Sequence, residues 1–492
     1  MCKTHRTLAR ATLAARALLV ATSVLGAAAA GGATVLEAVK GNDGGGLRGL
    51  LADGADPNEA DSDGTAALHW AVHQGQSETV AALLIAGAAV DAPNRYGVRP
   101  LYLAVENGDA SMVRALLEGG ADPNGTRVEG ETALMIAART GDVATLEALI
   151  AAGADVNAVE ERKGQTALMW AAADNNGAAV KALLAAGAAR DARSTGGEFT
   201  ALTFAVRAGA LDSMRALLEA GGDPDATLGD GTSLLLLATL NAHFEAAGVL
   251  LDFGADANAD AQGWTALHQI VWSRRWNTGF NLPGPAGSGN LDGCDLARKL
   301  VAHGANVNAR QTKEPRDGNR NDLNRSGATP FLLATKSVDL PLMQTLLELG
   351  ADPSLTTDEG TSAVMVAAGV GIYAPGTSPG TTEEALAALK LALEVGGGTV
   401  NDVNSHGETP LHGAVYRGGA LTLIDFLVAR GAKLDGVNDR GFTPLRVADG
   451  IARGTAINRY PEAAARLREH LAAQGLPVPP VAQPGNGKSA AE

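Results

Sequence analysis

Residues 130–157 read GETALMIAARTGDVATLEALIAAGADVN. Thr132 stands where a hydroxyl caps a helix, Leu134 and Ala137 follow at helical spacing, and Gly141 stops the run. A second apolar stripe then rises through Leu146 and Leu149 before Gly153-Ala154-Asp155-Val156-Asn157 supplies a stop and a turn. The predicted element is helix, turn, helix, hairpin-like loop. Such an element has one apolar face too many to stand alone.

It does not stand alone. Openings of the same kind begin at Gly64 (GTAALHWAVHQG), Gly97, Gly130, Gly164 (GQTALMWAAADN), Phe199, Gly231, Gly263, Gly327, Gly360, Gly407 and Gly441. The period is about 33 residues, and self-similarity at that spacing means a stacked array in which each repeat buries its face on its neighbours. The leading glycine suits a turn with φ > 0, and Pro410 and Pro444 sit where a first helical residue tolerates proline. In Thr409-Pro410-Leu411-His412-Gly413-Ala414 and in Thr265-Ala266-Leu267-His268 the pattern resembles the T-P-L-H-x-A signature of the ankyrin repeat. The resemblance covers roughly residues 33 to 475. It implies an all-α ankyrin-repeat solenoid of stacked helix-turn-helix units, about ten full repeats plus capping units. It also implies a binding scaffold and no enzyme, with partners contacting the concave groove, the loop tips and the exposed side of each first helix. The histidine of the TALH position, His69 included, takes a structural hydrogen-bonding role by the same resemblance. The Ala-rich repeats behind a basic, apolar start also look like those of exported bacterial ankyrin-repeat proteins.

Composition agrees with closely stacked helices. The 492 residues are 46% hydrophobic but only 4% aromatic, with 62 glycines. A formal charge of −15 disfavours unaided binding to nucleic acid or to an anionic membrane surface and favours basic or neutral partners. Residues 1–30 carry Lys3, Arg6, Arg10 and Arg16 ahead of an apolar run from Ala17 to Ala30. This pattern predicts a signal peptide cleaved near Ala30, hence an exported, periplasmic or secreted chain without membrane insertion after cleavage. An uncleaved anchor and an Arg-rich organellar presequence share the basic start and stay open. Removing the segment takes Cys2 with it and leaves Cys294 alone, so no internal disulfide forms.

The organisation expected is therefore a signal peptide over 1–30, the array over 31–475 and a Pro- and Gly-rich disordered tail over 476–492. Gly44-Gly45-Gly46 reads as a turn in an abbreviated first unit. The segment opened by Pro461 reads as a last helix whose charged outer face carries Arg466, Arg468 and Glu469.

Catalysis would need a constellation added to the repeats. His69 and His73 share a helix face, but the glutamate of the zinc-protease motif is missing and no third ligand follows from the pattern. The Asp and Asn of the GADxN turns lack EF-hand spacing, and Cys294 has no nearby histidine to activate it. No phosphate loop, nucleophile elbow or dinucleotide fingerprint is present, and no metal or cofactor is expected.

The repeat opening at Gly263 is decorated. Insertions lie at about 272–290, 311–326 and, two repeats later, 371–384. The two helix-helix junctions involved belong on one edge of the array. Trp264, Trp272, Arg274, Arg275 and Trp276 gather there, in residue types that dominate interface hot spots. Together with Tyr96 and Tyr373 they are the candidate partner-binding residues. Two competing readings remain: the tryptophans pack the insertion onto the array, or the insertions build a small-ligand, carbohydrate or enzyme site. A secreted effector is a further alternative.

Overall fold

The structure, a computed structural model, describes residues 33–275, 287–314, 322–372, 377–453 and 456–480. It divides into two compact parts, Met1–Ala104 and Val105–Glu492.

In the first part, helices Val35–Lys40, Gly44–Ala52, Ala67–His73 and Ser77–Ile85 bury Val35, Leu47, Leu68, Val72, Val80 and Leu83. The triple glycine is not the expected turn. Asp43 caps it, its carboxylate accepting from the Gly46 N–H at 2.9 Å, and the three glycines form the first turn of the helix.

In the second part each repeat pairs a short first helix with a longer or equal second one. Ala133–Thr140 precedes Val143–Ala151, Ala167–Ala173 precedes Gly177–Ala185, and Ala201–Ala208 precedes Leu211–Glu219. Leu234–Leu240 with Phe244–Asp252, Ala266–Arg274 with Gly293–Ala302, and Pro330–Lys336 with Leu340–Glu348 continue the series. It runs on through Ala363–Ala368 with Thr382–Glu394 and Pro410–Tyr416 with Leu421–Ala429, and closes with Pro444–Asp449 and Pro461–Ala473. First helices start alike because their caps are alike: the hydroxyls of Thr132, Thr166 and Ser233 accept from the N–H three residues on. Gly141, at φ 75°, closes its helix in the left-handed conformation that a side chain resists. Antiparallel bridges such as Thr126 to Thr132 and Thr227 to Ser233 make the connecting loops hairpin-like. The fold is helical as expected; among the described residues the last repeat adds a short two-stranded antiparallel ladder, Ile451–Arg453 with Ala456–Asn458.

Two side-chain devices join consecutive repeats. His268 and His412 are fully buried; each accepts from the N–H of its own cap at Nδ1, 3.2 Å away. Each then donates from Nε2 to the next repeat, to the carbonyls of Ala328 (3.2 Å) and Phe442 (2.9 Å). The second device is the asparagine of the GADxN turn. Asn157 accepts from the Ala189 N–H at 2.7 Å and donates to the Gly187 carbonyl at 3.2 Å, one turn further on. Asn124, Asn258, Asn308 and Asn401 repeat that double bond.

The closing helix docks more firmly than a charged outer face would. Arg468 turns inward onto Asp449, a carboxylate only 4% exposed, at 2.8 Å, while Arg466 reaches Asp425 at 2.5 Å. Arg468 also donates to the carbonyls of Pro479 and Pro480, so the first residues of the Pro-rich segment lie along this helix.

Candidate partner-binding face

The first helix of the seventh repeat, Ala266–Arg274, carries Trp272 and Arg274 and is flanked by Trp264 and Arg275. Trp264, just before the cap, meets Trp272 edge to face with centroids 5.9 Å apart, and its indole N–H donates to the Gln269 side chain at 3.2 Å. Over Trp272 lies the Arg325 guanidinium, 5.1 Å from the ring. Arg325 is held by Glu314 at 3.0 Å, so the ends of the second insertion are pinned to the ring.

Arg274 and Arg275 point to successive second helices. Arg274 grips Asp339 with Nε at 2.8 Å and Nη2 at 3.3 Å; Asp339, 1% exposed, caps the helix Leu340–Glu348. Arg275 reaches Glu384 at 2.8 Å, the acidic member of the capping box that opens Thr382–Glu394. The junctions of the seventh and ninth repeats therefore touch. Burial works against the Arg274 charge, but the Asp339 carboxylate prevails and holds its pKa above the ordinary value. Both guanidiniums are committed to ion pairs inside the chain, and Trp264 and Trp272 remain half-buried.

Tyr96 belongs to the first part, where it is 52% exposed at a loop tip; Arg95 donates to its hydroxyl at 3.0 Å. Trp276 and Tyr373 lie outside the described residues. So does the leader segment.

The remaining candidates resolve into structural roles. His69 is 1% exposed with both ring nitrogens engaged, Nδ1 by the Ala66 N–H and Nε2 on the Val98 carbonyl, and burial lowers its pKa. His73 instead packs edge-on against Trp70. Asp155 makes an Asx turn with the N–H of Asn157 at 2.9 Å. Cys294 is buried in the first turn of its helix. Among the described residues no group of three or more His, Cys, Asp and Glu is placed to hold a metal ion, and no helix is long and apolar enough to cross a membrane.

The repeat register puts further residues, Trp170, Phe204, Leu237 and Leu240, on the exposed first-helix side that the resemblance implied, residues that the sequence reading did not single out. Counting from each cap, the fourth position places Trp170, Phe204 and Leu237, and the seventh places Arg139, Arg207, Leu240 and Trp272. Positions three apart on a helix are neighbours, so the two rows form one band across successive first helices. Trp170, Phe204 and Leu237 are half-buried and Leu240 is 38% exposed. Arg139 lies 5.3 Å over the Trp170 ring and Arg207 5.9 Å over Phe199. The signal was present in the aligned openings, as aromatic residues at one fixed offset.

With this geometry in place, the comparison with known families is direct. The family model for ankyrin repeats, in three copies, matches residues 35–127, 107–195, 134–228 and 202–278. The chain carries ankyrin repeats, and its fold is that of a helical ankyrin-repeat array. No curated protein matches it. Ankyrin repeats are in general modules of protein-protein interaction, and proteins built from them are typically non-catalytic scaffolds.

Proposed function

We propose that this chain is a non-catalytic, exported scaffold that binds another protein through the first-helix face, the loop tips and the decorated seventh to ninth repeats. The observation that carries the reading is the band of Trp170, Phe204, Leu237, Leu240 and Trp272, partly exposed at matching positions of consecutive repeats. Apolar side chains scattered singly over a surface need no explanation, whereas a contiguous band rimmed by polar groups marks an interaction site. Aromatic and arginine side chains are the types on which binding energy concentrates. A stack of capped helices presents that band with little ordering left to do on binding. Export rests on the basic, apolar leader of residues 1–30.

Affinity capture from the envelope of the exporting cell tests the reading. The bait is the mature chain beside two variants of equal helical circular dichroism, Trp170→Ser with Phe204→Ser, and Trp272→Ala. A protein held by the parent and lost with the first variant supports the band; loss with the second alone confines the site to the seventh-repeat end of the band, at the decorated repeat. Retention by both removes both surfaces from the proposal. The mass of the mature chain recovered from the envelope tests export, since an unprocessed or cytoplasmic chain ends that part of it.

A further inference from the structure

Of the asparagines that bond twice to the next repeat, Asn124 is the one that glycine follows among the described residues. Alanine follows Asn157, Asn258 and Asn308, and aspartate follows Asn401. The Asn124 Oδ1 accepts from the Asp155 N–H at 2.7 Å, and its Nδ2 donates to the Gly153 carbonyl at 3.0 Å, both in the third repeat. The side chain is exposed at a loop tip, and the Gly125 N–H donates to the Asp122 carbonyl at 3.3 Å.

That glycine changes what the asparagine can do. With no Cβ beside it, the Gly125 nitrogen is unhindered. Having given its proton to solvent, it attacks Cγ of Asn124, the amide nitrogen leaves as ammonia, and a five-membered imide closes. Water then opens the imide at either carbonyl. One opening leaves aspartate; the other leaves isoaspartate, with the main chain rerouted through the former side chain. Water is the sole co-reactant. Ring closure needs Cγ to swing onto Gly125, so both bonds to the third repeat must first be released. A local opening of the joint does that without unfolding the array.

We propose that Asn124 is a site of spontaneous deamidation, reached through opening of the joint between the second and third repeats, and that each conversion leaves that joint weaker. Aspartate keeps an acceptor for the Asp155 N–H, as Asp225 does for Asp256, but has no N–H for the Gly153 carbonyl. Isoaspartate lengthens the main chain by one carbon and shortens the side chain by one, so neither bond is remade. Both products add a negative charge close to Asp122, whose carboxylate already accepts from the Asn124 N–H at 2.9 Å. The pair Asn176-Gly177 is held more closely. The Asn176 amide donates to the carbonyls of Ala138 (2.9 Å) and Arg139 (2.8 Å), and Gly177 opens a helix so near Asp212 that a Cβ would stand 2.9 Å from its carbonyl oxygen. Asn107-Gly108 follows the helix Pro100–Glu106, away from any GADxN turn. The proposal is independent of the scaffold reading.

The test incubates the full chain in warm, mildly alkaline buffer and follows each asparagine by peptide mass, with fragmentation that separates aspartate from isoaspartate. Conversion is expected at Asn124, ahead of Asn157 and Asn176. It should run at least about tenfold slower than in a free peptide spanning residues 118–130, and faster in urea too dilute to change helical circular dichroism. Conversion at Asn124 no faster than at Asn157 overturns the site. Equal rates in chain and peptide overturn the gating by the joint. In the aged chain, amide exchange at Asp155 is expected to rise about fivefold, the weight of one net hydrogen bond. Asn124→Gln, whose ring would need one more carbon, should age without that rise. Unchanged exchange in a converted parent, or an equal rise in the glutamine variant, overturns the weakening.

Discussion

Arg275 and Glu384 stand 109 residues apart in sequence and 2.8 Å apart in space. Glu384 is at the same time the residue that turns back to the N–H of Thr381, so the pair fastens the end of one first helix to the start of a second helix two repeats later. Both side chains are partly exposed, which limits what the ion pair contributes.

Arg275→Ala is accordingly expected to cost under about 1 kcal/mol in chemical denaturation. Faster amide exchange confined to the start of Thr382–Glu394 is the accompanying local sign. A global loss well above that figure would mean that the pair supports far more than this junction.

Arg274→Ala should behave differently, because Asp339 is left as a buried carboxylate without its cation. The expected loss is about 3 kcal/mol, read as a shift of the denaturation midpoint. Asp339→Asn together with Arg274→Met should recover part of it, since the stranded charge is then gone. A double variant no better than Arg274→Ala contradicts this account.

The histidines divide by environment. Burial lowers His268 to about 4 and lowers His69 and His412 in the same direction. Their unfolded forms bind protons that the folded forms refuse, so the stability they contribute is fully present above about pH 6.5 and is lost as pH falls toward 4. His406 runs the other way. It bridges Asp439 (3.2 Å) and Glu359 (3.4 Å) at successive loop tips, and chiefly the Asp439 bond raises its pKa. Its contribution is present below about 6.5 and lost as pH rises through its folded value. Histidine resonances followed by NMR should titrate above 6.5 for His406 and well below it for His268; the reverse order sinks the assignment.

Asparagine in the GADxN turn makes one bond more than aspartate can. Asp225 accepts from the Asp256 N–H at 2.7 Å but has no amide to donate, whereas Asn157 does both. Asn157→Asp should lose about 1 kcal/mol, and Asp225→Asn should gain a similar or smaller amount. Equal stability of all three chains would show that these exposed bonds contribute nothing.

Most of the architecture was legible in the sequence because it is local and repeated. Caps such as Thr132 and Thr409, the stop at Gly141 and the opening proline of Pro461–Ala473 each act within one helical turn of themselves. Gly44-Gly45-Gly46 misled because glycine propensity is a weak force beside a cap at Asp43 and burial of Leu47. The partners of Arg274, Arg275 and Arg468 were not legible: an ion pair depends on where two distant segments finish, and periodicity says nothing of that. The reach of the asparagines into the next repeat went unread for a related reason. A turn explains the residue type so well that recurrence at Asn124, Asn157, Asn258 and Asn308 raised no further question.

The asparagine bonds have a range of one repeat, and an array held only by such links comes apart one joint at a time. Arg275 reaches further, past its neighbour to the second repeat along. A link of that span restrains the order in which the seventh to ninth repeats can part, but as a half-exposed ion pair it is a weak one. Under a pulling force the packed joints between adjacent repeats carry the load, and this pair adds a small extra resistance at one junction.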